Sequence, residues 1–271
     1  MTWSSRQRRM LEAMGVRVWT SPSPPTDRSP FASRDVATRP PAAVPVAVRS
    51  PAMPVASPRR DDAPGVTPHV GERPVVDIAT MDWPALRAAV SACTACSLCK
   101  SRTRTVFGTG SPRAQWMIVG EAPGEQEDLR GEPFVGKSGQ LLDSMLAAVG
   151  QSREAGPDAQ QVFIANTLKC RPPGNRNPEP AELAQFEPFL IRQIELVQPA
   201  VLLAMGRFAV QALLQSNEPI GRLRGRVHRY QGRPLVVTYH PAYLLRNPRD
   251  KARAWEDLCL TLQAAKNTAA D

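Results

Sequence analysis

Four short apolar runs stand out in the second half of the chain: Trp116–Val119, Val162–Ala165, Ala200–Met205 and Leu235–Val237. Each is too short for a helix of its own and too continuously apolar for a half-exposed strand, so each is predicted to be a strand buried on both faces. Between them the period changes to that of a helix. Leu141, Leu142, Met145, Leu146 and Val149 predict a helix over about 138–149, which Gly150 ends. A second helix follows the loop Gly174–Pro178 and runs to Val197; a third holds Phe208, Val210, Leu213 and Leu214; a last one carries Trp255, Leu258 and Leu262. Ahead of them all, Asp82 is placed to cap a helix with Pro84 in its first turn and Leu86, Ala89 and Val90 turned inward. Strands alternating with helices predict a parallel sheet covered on both faces.

Before residue 78 this pattern is absent. Residues 1–19 carry Met10, Leu11, Met14 and Val16 beside Trp3 and Trp19, consistent with a short amphipathic helix. Residues 20–77 are rich in Pro, Ala, Ser, Val and Arg without either period and read as a disordered linker. The folded domain is therefore expected over 78–266. Net charge is +9 and the sequence pI about 9.9, which points to a polyanionic partner, although Arg6, Arg8 and Arg9 put part of the excess outside that domain. No apolar run approaches the ~18 residues that would span a bilayer, and the amino terminus lacks the apolar core of a secretory signal. Five cysteines, an odd number and mostly clustered, suit a reducing compartment and metal binding better than a disulfide framework.

The strand at Trp116 stops at Gly120 and enters Glu121-Ala122-Pro123-Gly124, a turn open to close approach of another molecule. An exposed-looking aromatic, Phe134, follows between Pro133 and Val135. In a parallel sheet the carboxyl ends of the strands share one edge, where ligands bind. Glu121, Phe134, Asn166 and His240 are thus expected to converge. A lone His before Pro is more often a structural hydrogen-bonding residue than a catalyst. A flat aromatic, an amide and an imidazole together nevertheless suit a planar heterocycle, by stacking, edge recognition and charge stabilisation. A second constellation is Cys93-x-x-Cys96 with Cys170. Thiolates at that spacing suit zinc or an iron–sulfur cluster, both of which favour four ligands; the plain alternative is a set of half-buried thiols.

These motifs together resemble the iron–sulfur uracil-DNA glycosylases, family 4 of the uracil-DNA glycosylase superfamily. The likeness covers about residues 82–262 and rests on CxxC followed by RTxxVFGTG, on GEAPGEQED, GEPFVGKSGQLLD, NTLKCRPPGNRNP and YHPAYLLRNP, in that order. It implies a three-layer αβα sandwich with a central four-stranded parallel sheet, and hydrolysis of the N-glycosidic bond of uracil in DNA during base-excision repair. Carried over residue by residue, Gly120, Glu121 and Ala122 line the uracil pocket and position the attacking water, Phe134 stacks on the base, Asn166 reads its amide edge and His240 hydrogen-bonds the departing anion. Leu244 matches the side chain that related enzymes insert into the duplex, as base flipping requires. Arg222, Arg224, Arg226 and Arg246 are candidates for phosphate contacts.

The resemblance also implies a [4Fe-4S] cluster on Cys93, Cys96, Cys170 and a fourth cysteine, but Phe186 stands where that cysteine is expected. Cys99 sits where the family has a non-ligand, and Cys259 falls on the last helix. An unusual fourth ligand, a three-iron cluster, zinc and no metal are all open, with a retained or partly retained cluster as the expectation. Uracil-containing DNA as partner, no membrane association, a monomer and a bacterial cytoplasm complete the reading. Its rivals are a non-catalytic nucleic-acid-binding module of the same fold and a glycosylase for another deaminated base; retention of Glu121, Asn166 and His240 favours catalysis.

Overall fold

The computed structural model describes residues 77–268, apart from 158 and 159, so the expectations for residues 1–76 lie outside the described residues. Six strands form one sheet: β1 (Thr109–Gly110), β2 (Trp116–Gly120), β3 (Val162–Asn166), β4 (Val201–Met205), β5 (Val227–Tyr230) and β6 (Arg233–Thr238). Their order across the sheet is β1-β3-β2-β4-β6-β5. The inner four are parallel, and β1 and β5 pair antiparallel with β3 and β6 at the edges. The expected four-stranded parallel sheet is thus the centre of a larger mixed one. The edges escape the pattern for physical reasons. β1 has only two residues, and β5 alternates exposed and half-buried positions, so it reads as a basic segment.

Eight helices cover the described sheet: α1 (Trp83–Ser91), α2 (Glu125–Arg130), α3 (Lys137–Ala148), α4 (Pro180–Val197), α5 (Arg207–Leu214), α6 (Ile220–Leu223), α7 (Pro241–Arg246) and α8 (Lys251–Thr268). None of them is long and apolar enough to cross a membrane. Side chains of a strand alternate between faces, and here both faces are filled. Met117, Val119, Phe163, Ala165, Leu202 and Ala204 share a cluster with Leu86 and Val90 of α1, Phe186 and Ile194 of α4 and Val210 of α5. Trp116, Ile118, Val162, Ile164, Leu203 and Met205 meet Leu142 and Met145 of α3, Leu244 of α7 and Leu258 of α8 on the other side. The result is three layers. Burying a side chain of this size contributes about 1.5–3 kcal/mol, so the strand ends stand on a rigid platform.

Candidate active site

The register of the sheet puts the strand ends level. Gly120 faces Asn166 across β2 and β3, Val119 faces Ala204 across β2 and β4, and Met205 faces Thr238 across β4 and β6. The chain leaves β2 for β3 on one side and later for β4 on the other, so β2 marks the point where the order reverses, the usual place for a ligand in an open α/β sheet. A cavity of about 850 Å³ opens there, lined among others by Glu121, Ala122, Phe134, Asn166, Arg207, Tyr239, His240 and Arg246. The loops bordering it are tied together: Thr167 N–H donates to Gly120 O and Leu168 N–H to Glu121 O, and the Thr167 hydroxyl donates to Glu121 O.

Phe134 is only 5% exposed, which corrects the expectation of an exposed aromatic. Its backbone takes φ +56°, an unusual conformation for a bulky residue, and turns the ring inward. Gly139 makes this possible, because a Cβ there would collide with the Phe134 carbonyl. Gly120 is equally constrained: a Cβ would meet Asn166 Oδ1 and lie 2.7 Å from the Phe134 ring. The turn carrying Phe134 is held by Glu127, whose carboxylate accepts from the N–H groups of Gly124 (3.1 Å), Val135 (2.9 Å) and Gly136 (3.2 Å). Glu127 was not singled out from sequence, although Gly124-x-x-Glu127 has the spacing of a helix capping box.

Asn166 is 2% exposed, and its Oδ1 is buried without a hydrogen-bond partner among the described residues. A buried polar atom without a partner costs about 1–3 kcal/mol, so this oxygen calls for a donor. His240 caps α7, its Nδ1 accepting from Ala242 N–H at 3.2 Å. An Nδ1 that accepts leaves the proton of the neutral ring on Nε2. Burial, with the positive charge of Arg246 a smaller cause, lowers the His240 pKa to about 4, against a weaker opposing pull from Glu127. The ring lies 5.3 Å from that of Phe134 and 27° from parallel. Burial also raises the Glu121 carboxyl, opposed by Arg207. A stacking face, an unpaired amide oxygen and a neutral imidazole therefore border one cavity. Such a site can grip a planar base and stabilise negative charge on it.

A model of the family described as the uracil DNA glycosylase superfamily matches residues 107–259. The chain belongs to that superfamily. It is 41% identical over 168 residues to the type-4 uracil-DNA glycosylase of Archaeoglobus fulgidus, covering 59% of this chain and 81% of the relative. The type-4 enzyme of Thermotoga maritima is 41% identical over 166 residues, 60% of this chain and 83% of that one. A type-5 uracil-DNA glycosylase of Pyrobaculum aerophilum is 31% identical over 152 residues, 52% and 67% of the two chains. The likeness to type 4 is thus the stronger.

Within this family member, two expected DNA contacts are corrected. Leu244 is fully buried, in one cluster with Leu141, Met145 and Trp255, rather than presented to solvent as a wedge would be; its neighbour Leu245 is 43% exposed. Arg224 is committed elsewhere. Its guanidinium donates to Asp257 Oδ2 (3.0 Å), Glu256 Oε2 (3.0 Å) and Arg253 O (2.7 Å), and its side chain is 13% exposed. Asp257 in turn accepts from the Thr238 hydroxyl at 2.9 Å and from Gly225 N–H at 3.2 Å, which fixes the end of β6 ahead of His240. Arg246 is exposed and lines the cavity, as does Arg207, which the sequence reading passed over.

The cysteines are arranged less like a metal centre. Cys93 and Cys96 are half-buried beyond α1, and Cys170 is buried beyond β3. Burial pushes the Cys170 thiol up to about 12, against the bond and charge of Arg102. Among the described residues no three Cys, His, Asp or Glu side chains are grouped so as to hold a metal ion. Phe186, at the implied fourth position, is fully buried in the apolar cluster that contains Cys170. This donor set does not fit a four-cysteine cluster.

Proposed function

We propose that this chain is a uracil-DNA glycosylase that hydrolyses the N-glycosidic bond between uracil and deoxyribose in DNA, as its type-4 relatives are named for. The observation that carries the reading is the unpartnered Asn166 Oδ1 in a cavity shared with Phe134 and His240. Uracil N3–H supplies the missing donor, and uracil O4 accepts from the amide nitrogen. Cytosine, which has a lone pair at N3 and an amino group at C4, matches neither. Phe134 stacks on the base. As the glycosidic bond breaks, the bonding electrons leave with uracil, and the sugar becomes oxocarbenium-like. Nε2–H of neutral His240 donates to O2, where the negative charge gathers. A donor pre-aimed at developing charge is worth about 3–4 kcal/mol. Glu121 and the Ala122 backbone hold the water whose oxygen bonds C1′, its proton passing to solvent or to the departing base.

The base must leave the stack first. Leu245, rather than Leu244, is the wedge in this reading, and Arg246 and Arg207 border the phosphate path. The thiols do not fit the cluster that the resemblance implies, and no step is assigned to one. We place the protein in a reducing cytoplasm as a monomer, a reading that its odd number of cysteines suits.

Single- and double-stranded oligonucleotides with one uracil, treated with alkali after incubation, test the reaction. Wild-type protein is expected to give a cut strand, and Asn166→Ala and His240→Ala to fall by about 10²–10³ in rate with their fold intact by circular dichroism. Binding without any cleavage by the wild type would favour the non-catalytic module.

A further inference from the structure

The place where the resemblance implies an iron–sulfur cluster is organised around an arginine. Arg102 Nη1 donates to Cys93 O at 2.7 Å and to Cys170 Sγ at 3.1 Å, and Nη2 donates to Ser91 O at 3.3 Å. One guanidinium therefore joins the end of α1 to the segment beyond β3. Joining segments distant in sequence is what a cluster does for a fold, and a planar fork of N–H donors does it through hydrogen bonds. The loop then continues into the domain: Thr103 N–H donates to both carboxylate oxygens of Asp128 at 2.9 Å, and Arg104 N–H to one at 3.3 Å.

Phe186 completes the arrangement. It is fully buried, in a cluster against which Cys93 and Cys96 pack as apolar neighbours. A phenyl ring there offers no electron pair to iron. The two side chains nearest in chemistry to a substitute ligand are otherwise engaged. Glu182 is held by Arg176 at 2.6 and 2.9 Å and by Glu179 N–H at 2.9 Å. Cys99 Sγ faces Thr94 O at 4.0 Å. We propose that Arg102 and Phe186 close this corner of the fold and that the chain carries no iron–sulfur cluster there.

This holds whether or not uracil is the substrate, so its test is separate. Full-length protein purified anaerobically is analysed for iron, acid-labile sulfide and visible charge-transfer absorbance, before and after reconstitution with ferrous iron and sulfide. Iron well below one per chain, with no visible band after desalting, is expected. Stoichiometric iron and sulfide in either sample would overturn the proposal. Thermal melts of the same anaerobic and reconstituted samples give a second reading. Cys93→Ser is expected to leave Tm within about 2 °C of wild type, while Arg102→Met lowers it by roughly 4–8 °C and Arg102→Lys by less. A Cys93→Ser loss as large as that of Arg102→Met would count against an arginine-closed corner. Phe186→Cys is expected to gain iron on reconstitution; failure to do so would remove Phe186 as the block.

Discussion

Truncating two adjacent leucines should separate stability from catalysis. Leu244 has no exposed surface and Leu245 has 43% of its surface in solvent. Leu244→Ala deletes three carbons from a closed core. At about 0.8 kcal/mol per buried carbon, with a further term for the cavity left behind, the loss is about 3–4 kcal/mol. With an unfolding entropy of about 2.1 cal/mol/K per residue and about 190 described residues, the unfolding entropy is about 0.4 kcal/mol/K, and Tm should fall by about 7–10 °C. Leu245→Ala removes surface carbons and should shift Tm by about 1 °C. Its cost should appear in flipping. Unstacking a paired base takes a few kcal/mol, and least in a single strand, so excision from duplex should drop about 10–100-fold while single-stranded DNA is processed as before. The assay is single-turnover excision on both substrates at a temperature where each variant is folded. An unchanged duplex-to-single-strand ratio in Leu245→Ala would refute the wedge assignment, and an unchanged Tm in Leu244→Ala would refute the burial argument.

The remaining expectations concern the pocket and its support. Gly120→Ala places a methyl against Asn166 and the Phe134 ring, so excision should fall by at least about 10² and free uracil should inhibit less well, with far-UV dichroism unchanged. Between about pH 6.5 and 4 the unfolded chain takes up a proton that folded His240 refuses. Its contribution to stability is therefore complete above pH 6.5 and shrinks by up to roughly 3 kcal/mol as pH falls towards 4. Denaturant titrations from pH 4.5 to 7.5 should show that slope, and His240→Gln should flatten it; the raised carboxyls of Glu121 and Asp257 act with the opposite sign and remain in both proteins. Arg224→Ala leaves Asp257 buried and short of its cation, costing roughly 3 kcal/mol in stability without changing the salt dependence of DNA binding. Arg246→Ala should leave Tm in place and reduce the salt slope by about 1.

What the sequence made legible follows burial. The four parallel strands could be read because both faces of each are covered, leaving continuous apolar runs. The edge strand Val227–Tyr230 alternates exposed and half-buried positions and carries no such mark. The same applies to side chains at the site. Asn166 and His240 could be placed because strand ends define a common edge, whereas Phe134 looked exposed because its inward turn depends on a positive φ and on a close approach to Gly139, neither of which an apolar period records. Leu244 and Leu245 could not be told apart because α7 has six residues, too few to phase a helical stripe. Arg224 looked like part of a basic run because its partner, Asp257, lies on another element and is invisible to local charge counting.

The geometry also accounts for a pocket that keeps its residues while the cysteine corner departs from the family pattern. Asn166 is positioned by hydrogen bonds rather than by a metal ligand. Its backbone carbonyl accepts from Lys169 Nζ at 2.7 Å, Lys169 also donates to Gln193 Oε1 at 2.6 Å, and Gln193 Nε2 donates to Phe107 O at 2.9 Å. Lys169 and Gln193 are fully buried, so each bond is shielded from competing water, and losing one would leave a polar atom unsatisfied. Burial draws the Lys169 ammonium down to about 7, while two close carbonyl acceptors suit its protons. On the other wall, Glu127 holds the turn of Phe134 through three backbone N–H groups, and Asp257 holds Thr238 two residues before His240. Each of these pocket side chains thus has its own polar brace, anchored on a helix other than α1. A change at Arg102 or Phe186 reaches Asn166 at one remove, through Cys170 beside Lys169 and through α4, which carries both Phe186 and Gln193, while the register of the parallel strands still sets the strand-end geometry.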